Sequence, residues 1–255
     1  MNIYNSLDSV PQIEKAVLAL GAFDGMHLAH RHLVEKVCQN ARENNGNSVI
    51  ISFLAHPKKI ISEDFNQGVL TTQSEKTDIL AEIGLDNLII TDFTTEISAM
   101  TYIDFIDFLQ KKIDIQKIIL GYNHHFGKNR EGCYATLSEL GKQRRFEVEE
   151  IEKQTIHGLD ISSSSIRSAL KCGDIETANK LLGYRYAINI QTLYEKNTQQ
   201  NEFFFNQNKI LPKNGRYTVK IDECNFVLTV NYPHLSIDAM NRETGSYKVE
   251  FVSSS

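Results

Sequence analysis

The chain has 255 residues, 41% apolar and 23% charged, with a formal net charge of -5. That is enough apolar material for one large domain or two smaller ones, and the acidic balance sets aside a general nucleic-acid binder, which would carry a basic face. No apolar run approaches the roughly 18 residues of a membrane span, and Met1 to Val10 lacks the basic-then-apolar layout of a secretory leader. Cys38, Cys133, Cys172 and Cys224 are far apart and form no CxxC. The expectation is a cytoplasmic chain with inert packing thiols and no zinc site, contacting neither membrane nor nucleic acid. The sequence sets no oligomeric state.

Taken in order, Ala16 to Ala22 reads as a short buried strand followed by turn residues. His27 to Glu43 has the apolar stripe of an amphipathic helix, closed by Asn44-Asn45-Gly46. Ser48 to Leu54 is a second strand, stopped by His56-Pro57. Residues 58–72 hold no period and read as a long loop. Thr72-Gln73-Ser74-Glu75 resembles a capping box, and its helix ends at Gly84. Asn87 to Thr91 is a third strand, Thr101 to Lys112 a helix, and Lys117 to Gly121 a fourth strand. A second glycine-rich turn runs from Gly121 to Gly132. Tyr134 to Lys142 (helix) and Phe146 to Ile151 (fifth strand) follow. Ile161 to Cys172 and Asp174 to Leu182 read as two more helices.

Strand and helix alternate five times, which predicts a Rossmann-like α/β domain: a five-stranded parallel sheet with helices on both faces. From Ala187 the helical period stops. Phe203-Phe204-Phe205, Tyr217 to Ile221, Phe226 to Val230 and Tyr247 to Val252 predict a small antiparallel β-barrel-like module, with the domain boundary near residue 186.

Ligands of such sheets bind beyond the carboxyl ends of the strands, and the unusual residues collect there. Gly21-Ala22-Phe23-Asp24-Gly25-Met26-His27-Leu28-Ala29-His30 joins a strand, a glycine turn and a helix start. The first N–H groups of a helix have no internal partner, so this is an anion site, and two imidazoles on the first turn add donors to it. A zinc reading of His27 and His30 lacks a third ligand. Ser162, Ser163 and Ser164 open another helix, with Arg167 one turn inside as a planar fork of donors. Two such helix starts suit a polyphosphate. Asn123, two histidines, Lys128 and Arg130 furnish the Gly121–Gly132 turn. No serine or cysteine has a paired base, and no carboxylates are placed like a glycosidase pair. A donor-rich, base-poor set suits phosphoryl or nucleotidyl transfer.

At these residues the chain resembles a known family. Gly21-x-Phe23-Asp24-Gly25-x-His27-x-x-His30 is similar to the HxGH signature of nucleotidylyltransferases, in the form found in bacterial FMN adenylyltransferases (FAD synthetases) of the bifunctional riboflavin kinase/FAD synthetase type. Phe53-x-x-His56-Pro57, Gly121-x-Asn123-x-x-Phe126-Gly127-x-x-Arg130-x-Gly132, Ile161-Ser162-Ser163-Ser164-x-Ile166-Arg167 and Gly173-Asp174 followed by Leu181-Leu182-Gly183-Tyr184-x-Tyr186 look like its other blocks, in its order, over most of residues 16–186. The resemblance implies AMP transfer from ATP to FMN, with Mg²⁺ accompanying ATP and no metal held by the protein alone. It implies that His27 and His30 contact the ATP phosphates, that Ser163, Ser164 and Arg167 hold the β- and γ-phosphates, that Asn123 and Arg130 place ATP or the flavin, and that His56-Pro57 lines the flavin side.

The departures are specific. Ala29 replaces the glycine between the histidines, Ser164 a threonine, and His124 an aromatic residue. Leu211 to Tyr217 looks like one strand of the riboflavin kinase barrel, but the Gly-rich opening and the Pro-Thr-Ala-Asn block of that kinase have no match. The expectation is a shortened, kinase-inactive module. Two alternatives stand beside FMN: another phosphorylated acceptor, or a flavin- or nucleotide-binding protein without turnover.

Overall fold

A computed structural model describes residues 1–54, 68–195, 200–238, 240 and 243–254. The chain forms two compact units, Met1–Asn66 with Gln73–Gln154, and Gln67–Thr72 with Thr155–Ser255.

The first unit runs β1 (Asn2–Tyr4), β2 (Ile13–Gly21), α1 (Leu28–Glu43), β3 (Asn47–Phe53), α2 (Gln73–Ile83), β4 (Asn87–Thr91), α3 (Thr95–Ala99), α4 (Tyr102–Gln110), β5 (Ile113–Leu120), α5 (Tyr134–Arg144) and β6 (Glu147–Glu150). All strand pairs are parallel, in the order β1-β4-β3-β2-β5-β6. Successive residues of a strand face opposite sides, and both sides are covered. Val17, Ala19, Ile50 and Leu88 pack under Val34 and Val37 of α1 and Leu80 of α2. Leu18, Leu20, Ile51 and Ile118 pack under Phe105 and Leu109 of α4 and Leu137 of α5.

The parallel α/β reading therefore holds, with six strands among the described residues where the hydrophobic runs indicated five. The added strand, β1, is three residues long and is fixed by its partner: Asn2 N–H donates to the Asp86 carbonyl (2.7 Å) and the Asn2 amide to Asn87 Oδ1 (3.1 Å). β5 begins earlier than expected because Ile113 and Ile115 are buried between exposed Asp114 and Gln116. From β2 the chain moves one way to β3 and β4, then returns to the other side for β5. The switch point lies between the carboxyl ends of β2 and β5.

The second unit holds a short hairpin of β7 (Thr155–Ile156) and β8 (Leu159–Asp160), then α6 (Ser163–Cys172) and α7 (Ile175–Leu182). Six strands follow: β9 (Ala187–Glu195), β10 (Gln200–Phe205), β11 (Gly215–Ile221), β12 (Cys224–Asn231), β13 (His234–Ile237) and β14 (Gly245–Ser254). They form one antiparallel, barrel-like sheet in the order β10-β9-β14-β11-β12-β13. β9 and β13 were not anticipated. Ile166 and Leu170 of α6 and Ile175 and Leu182 of α7 share one core with Tyr186, Leu228, Val249 and Phe251. By packing, these helices belong with the β sheet, so the division falls after Gln154, upstream of the domain boundary expected near residue 186.

The segment Gly68–Thr72 also belongs here. Val69 forms a bridge to Lys209, with Val69 N–H on the Asn208 carbonyl (2.6 Å) and Ile210 N–H on the Val69 carbonyl (3.1 Å). Leu70 is fully buried in the second core.

Candidate active site

The turn after β2 carries the first half of the site. Phe23, Gly25 and Met26 take φ of 49°, 88° and 36°, left-handed conformations that non-glycine residues adopt at some cost. Phe23 and Met26 offset it by burying their side chains in the core above α1. This brings His27 to the N-cap of α1, where its Nδ1 accepts from the His30 backbone N–H (3.3 Å). In a neutral ring that acceptor role leaves the proton on Nε2, so His27 presents an N–H donor. The His30 ring stacks on His27 with centroids 3.7 Å apart and planes 15° from parallel. The stack forms with the Ala29 methyl in place between the two residues.

Burial, partly opposed by Asp24, pushes His27 down to about 4, and its residue is 4% exposed. Burial and then the charges of His27, Lys76 and His124 hold His30 well below the ordinary imidazole range. Burial, with His125 and Arg130 adding to it, lowers His124 to about 4. All three rings are thus neutral at physiological pH. His30 Nδ1 and His124 Nε2 are buried with no hydrogen-bond partner among the described residues. Such atoms are costly by about 1–3 kcal/mol each, and their retention fits contact with a ligand.

The turn after β5 supplies the second half. Phe126 and Gly132 close it through paired backbone hydrogen bonds (3.0 and 2.9 Å). Gly127 has φ of 75°, and a Cβ there would stand 2.8 Å from the Tyr102 backbone nitrogen, so the turn lies hard against the start of α4. Asn123, Asn129 and Arg130 take left-handed φ. Asn123, His125 and Arg130 are exposed.

Between these turns lies a cleft of about 520 Å³, within the usual size of small-molecule sites. It is lined by Leu20, Gly21 and Ala22 from the end of β2 and by His124, His125, Asn129 and Arg130 from the second turn. Phe53, Phe93, Phe105 and Phe126 wall it. Phe53 meets Phe93 edge-on at 5.3 Å and Phe105 meets Phe126 at 5.8 Å. His124 lines the cleft and lies near enough to His30 that a proton on one ring would disfavour a proton on the other.

The structure thus gathers Gly21, Phe23, Asp24, Gly25, His27, His30, Asn123 and Arg130 at the carboxyl edge of one sheet. His56 and Pro57 lie outside the described residues. Ser162, Ser163, Ser164 and Arg167 are in the second unit. There Ser162 caps α6 by accepting from Ser165 N–H (3.1 Å), Ser164 is exposed, and buried Arg167 donates from Nη2 to the Gly68 carbonyl (3.3 Å).

One residue escaped the sequence reading. Lys76, in the first turn of α2, is 5% exposed. Its ammonium donates to the Ala22 carbonyl (2.7 Å) and to Ser52 Oγ (2.9 Å). Burial lowers it to about 8, against the raising effect of Asp24. The clue was positional: Lys76 precedes buried Leu80 by four residues, so a cation occupies the apolar stripe of its helix. Among the described residues no three His, Cys, Asp or Glu side chains cluster as a metal cage would.

Residues 9–165 match the FAD synthetase family. This chain belongs to that family. The match covers every strand of the parallel sheet but β1, and reaches into the first residues of α6. A bifunctional riboflavin kinase/FMN adenylyltransferase of Listeria monocytogenes is 31% identical over 80% of this chain and 67% of its own length. One from Escherichia coli K12 is 29% identical over 85% and 71%. A crystal structure from Streptococcus pneumoniae, described as a macrolide-efflux protein, superposes with a TM-score of 0.84 at 19% identity, covering 99% of this chain and 90% of that one. That likeness concerns the fold alone. Among the described residues no helix is long and apolar enough to cross a membrane.

Proposed function

We propose that this chain transfers AMP from ATP to FMN, giving FAD and pyrophosphate. The observation that carries the reading is the neutral, stacked His27–His30 pair at the switch point, beside an aromatic-walled cleft, in a chain of the FAD synthetase family. An FMN phosphate oxygen attacks the α-phosphorus of ATP in line. The bond from that phosphorus to the bridging oxygen breaks, and the electron pair leaves with pyrophosphate. His27 Nε2–H and the His30 ring donate to the phosphate oxygens as negative charge builds there, and desolvation makes those donors stronger than in water. Neutral rings carry no charge repulsion between them before ATP arrives, and the bound anion draws protons toward them.

Phe53, Phe93, Phe105 and Phe126 suit the flat face of an isoalloxazine, and Asn123 and Arg130 suit the polar part of either substrate. Ser163, Ser164 and Arg167 are assigned to the β- and γ-phosphates, and Ser162 to the helix cap beside them. For Arg167 that role is shared with its bond to Gly68. His56-Pro57 is assigned to the flavin side. The described side chains form no metal cage of their own, so Mg²⁺ would come with ATP on its phosphate oxygens and would neutralise charge on the leaving group. Residues 1–186 form the adenylyltransferase in this reading. Residues 187–255 form a shortened module without riboflavin kinase activity, because the kinase's Gly-rich and Pro-Thr-Ala-Asn blocks have no counterpart. The free thiols suit a reducing compartment, the cytoplasm.

Incubation with FMN, ATP and Mg²⁺, resolved by chromatography, is expected to give equal amounts of FAD and pyrophosphate, and riboflavin with ATP to give no FMN. Nicotinamide mononucleotide and phosphopantetheine serve as competing acceptors. Pyrophosphate release with one of these and not with FMN would overturn the acceptor, and tight FMN and ATP binding with no turnover would overturn the enzyme.

A further inference from the structure

Lys76 is an unusual residue to bury. An ammonium loses several kcal/mol of hydration in a protein interior, and a leucine or methionine would fill the same stripe of α2 without that loss. What the lysine does instead is join two strands at their carboxyl ends. It reaches Ala22, the first residue beyond β2, and Ser52, the fully buried penultimate residue of β3. The bond to the Ala22 carbonyl falls at the point where the backbone enters Phe23, Gly25 and Met26, the left-handed residues that lead to His27. A backbone held in sparsely populated conformations persists only where its surroundings over-determine it. The buried Phe23 and Met26 side chains hold it from one side, and the Lys76 ammonium holds its first carbonyl.

We propose that Lys76 is a positioning residue for adenylyl transfer, whose ammonium fixes the Ala22–Met26 turn so that His27 and His30 meet the phosphates in one orientation. The proposal rests on the adenylyltransferase reading for its activity assay but not for its spectroscopic one. The titratable groups facing Lys76 are the Asp24 carboxylate, from the turn itself, and the neutral His30 ring, from α1, with His27 stacked on His30. Asp24 favours the ammonium, and the ammonium disfavours a second charge on His30. The amine loses its charge as pH rises through about 8 in the free protein. A bound polyphosphate moves that loss upward.

The test uses Lys76→Met, Lys76→Arg and Ser52→Ala in the full chain. In the FAD assay Lys76→Met is expected to lower kcat by about 30- to 300-fold with the KM for FMN within about threefold, and Lys76→Arg to recover about tenfold of it. Wild type is expected to show an alkaline limb near pH 8 in kcat/KM for ATP, absent in Lys76→Met. Ser52→Ala, which leaves the lysine and changes one buried oxygen, guards against a Lys76→Met chain that does not fold, and is expected to move the same limb. Imidazole ¹⁵N–¹H spectra of the free protein are expected to shift at His27 and His30 in both variants, whatever the acceptor. A Lys76→Met chain within threefold of wild type in kcat, an alkaline limb unmoved in every variant, or unshifted imidazoles in Ser52→Ala and a folded Lys76→Met would overturn the proposal. A wild type that makes no FAD would overturn the acceptor reading instead, and the spectra would still decide on Lys76.

Discussion

The turn after β2 and the turn after β5 leave the same edge of the sheet and both use left-handed residues, but they are built in opposite ways. In the first, Phe23, Asp24, Met26 and His27 are all buried, and burial keeps the His27 imidazole neutral. In the second, burial keeps His124 neutral as it does His27, but Tyr122, Asn123, His125 and Arg130 are exposed, and the turn is held at its base by the Phe126–Gly132 pair and by Gly127 against Tyr102. Under the proposed reaction the contrast suits two kinds of work. Transition-state donors need fixed positions and low dielectric. Groups that gather a substrate from solution need reach, and exposed side chains on a firm base supply it.

The comparison can be broken at several points. The largest effect is expected at the buried turn: His27→Ala removes a desolvated donor and the α1 cap together, and should lower kcat for FAD formation about 100- to 1,000-fold. Equal kcat in that variant would remove the histidine from the reaction.

Acid sensitivity of stability comes next. His27 falls from 6.5 to about 4 on folding, so the unfolded chain binds the proton first as pH drops. The stability it supports is complete above pH 6.5 and is lost as pH falls toward 4, by a total on the order of 3 kcal/mol. Urea midpoints at pH 7.5, 6 and 5 should fall in that order, and less steeply in His27→Ala.

At the exposed turn the change should be smaller and of another kind. Arg130→Ala should raise a substrate KM by about tenfold and leave kcat within about threefold, measured with ATP and FMN varied in turn. A large kcat loss there would erase the distinction between the turns.

The smallest contrast lies within the second turn itself. Gly127→Ala places a Cβ 2.8 Å from the Tyr102 backbone nitrogen at a left-handed φ, and should destabilise by about 1–3 kcal/mol. A Cβ at Gly121 would meet nothing within 4 Å, so Gly121→Ala should stay within about 0.5 kcal/mol by thermal melts.

Much of this is legible in the sequence, because it is local. Buried parallel strands announce themselves as short apolar runs, and β3 and β4 lie within a residue or so of where Ser48–Leu54 and Asn87–Thr91 put them. The serine start of α6 follows from chain order alone, whereas His27, read as the first residue of α1, proves to be its cap. The rest depends on partners distant in sequence. β1 has no pattern of its own and exists because Asn2 meets Asn87. β9 alternates Ile188 and Ile190 with Asn189 and Gln191, but only its pairing with β10 and β14 makes it a strand. Lys76 reads as a surface charge until β2 and β3 are side by side and their ends meet it. Arg167 reads as a phosphate clamp, and its bond to Gly68, ninety-nine residues away, could not be foreseen.

The segment Gly68–Thr72 has a practical consequence for anyone who would take the protein apart. The chain enters the second unit at 67–72, returns to the first for 73–154, and enters the second again at 155. No single cut severs one unit from the other with both intact. A fragment starting at Thr155, or at Ala187, lacks Leu70, which is wholly enclosed in the second core, and the strand partner of Lys209. Limited proteolysis or gene splitting at either point should yield a C-terminal piece with an open seam, whereas adding residues 67–72 back as a peptide supplies the missing edge.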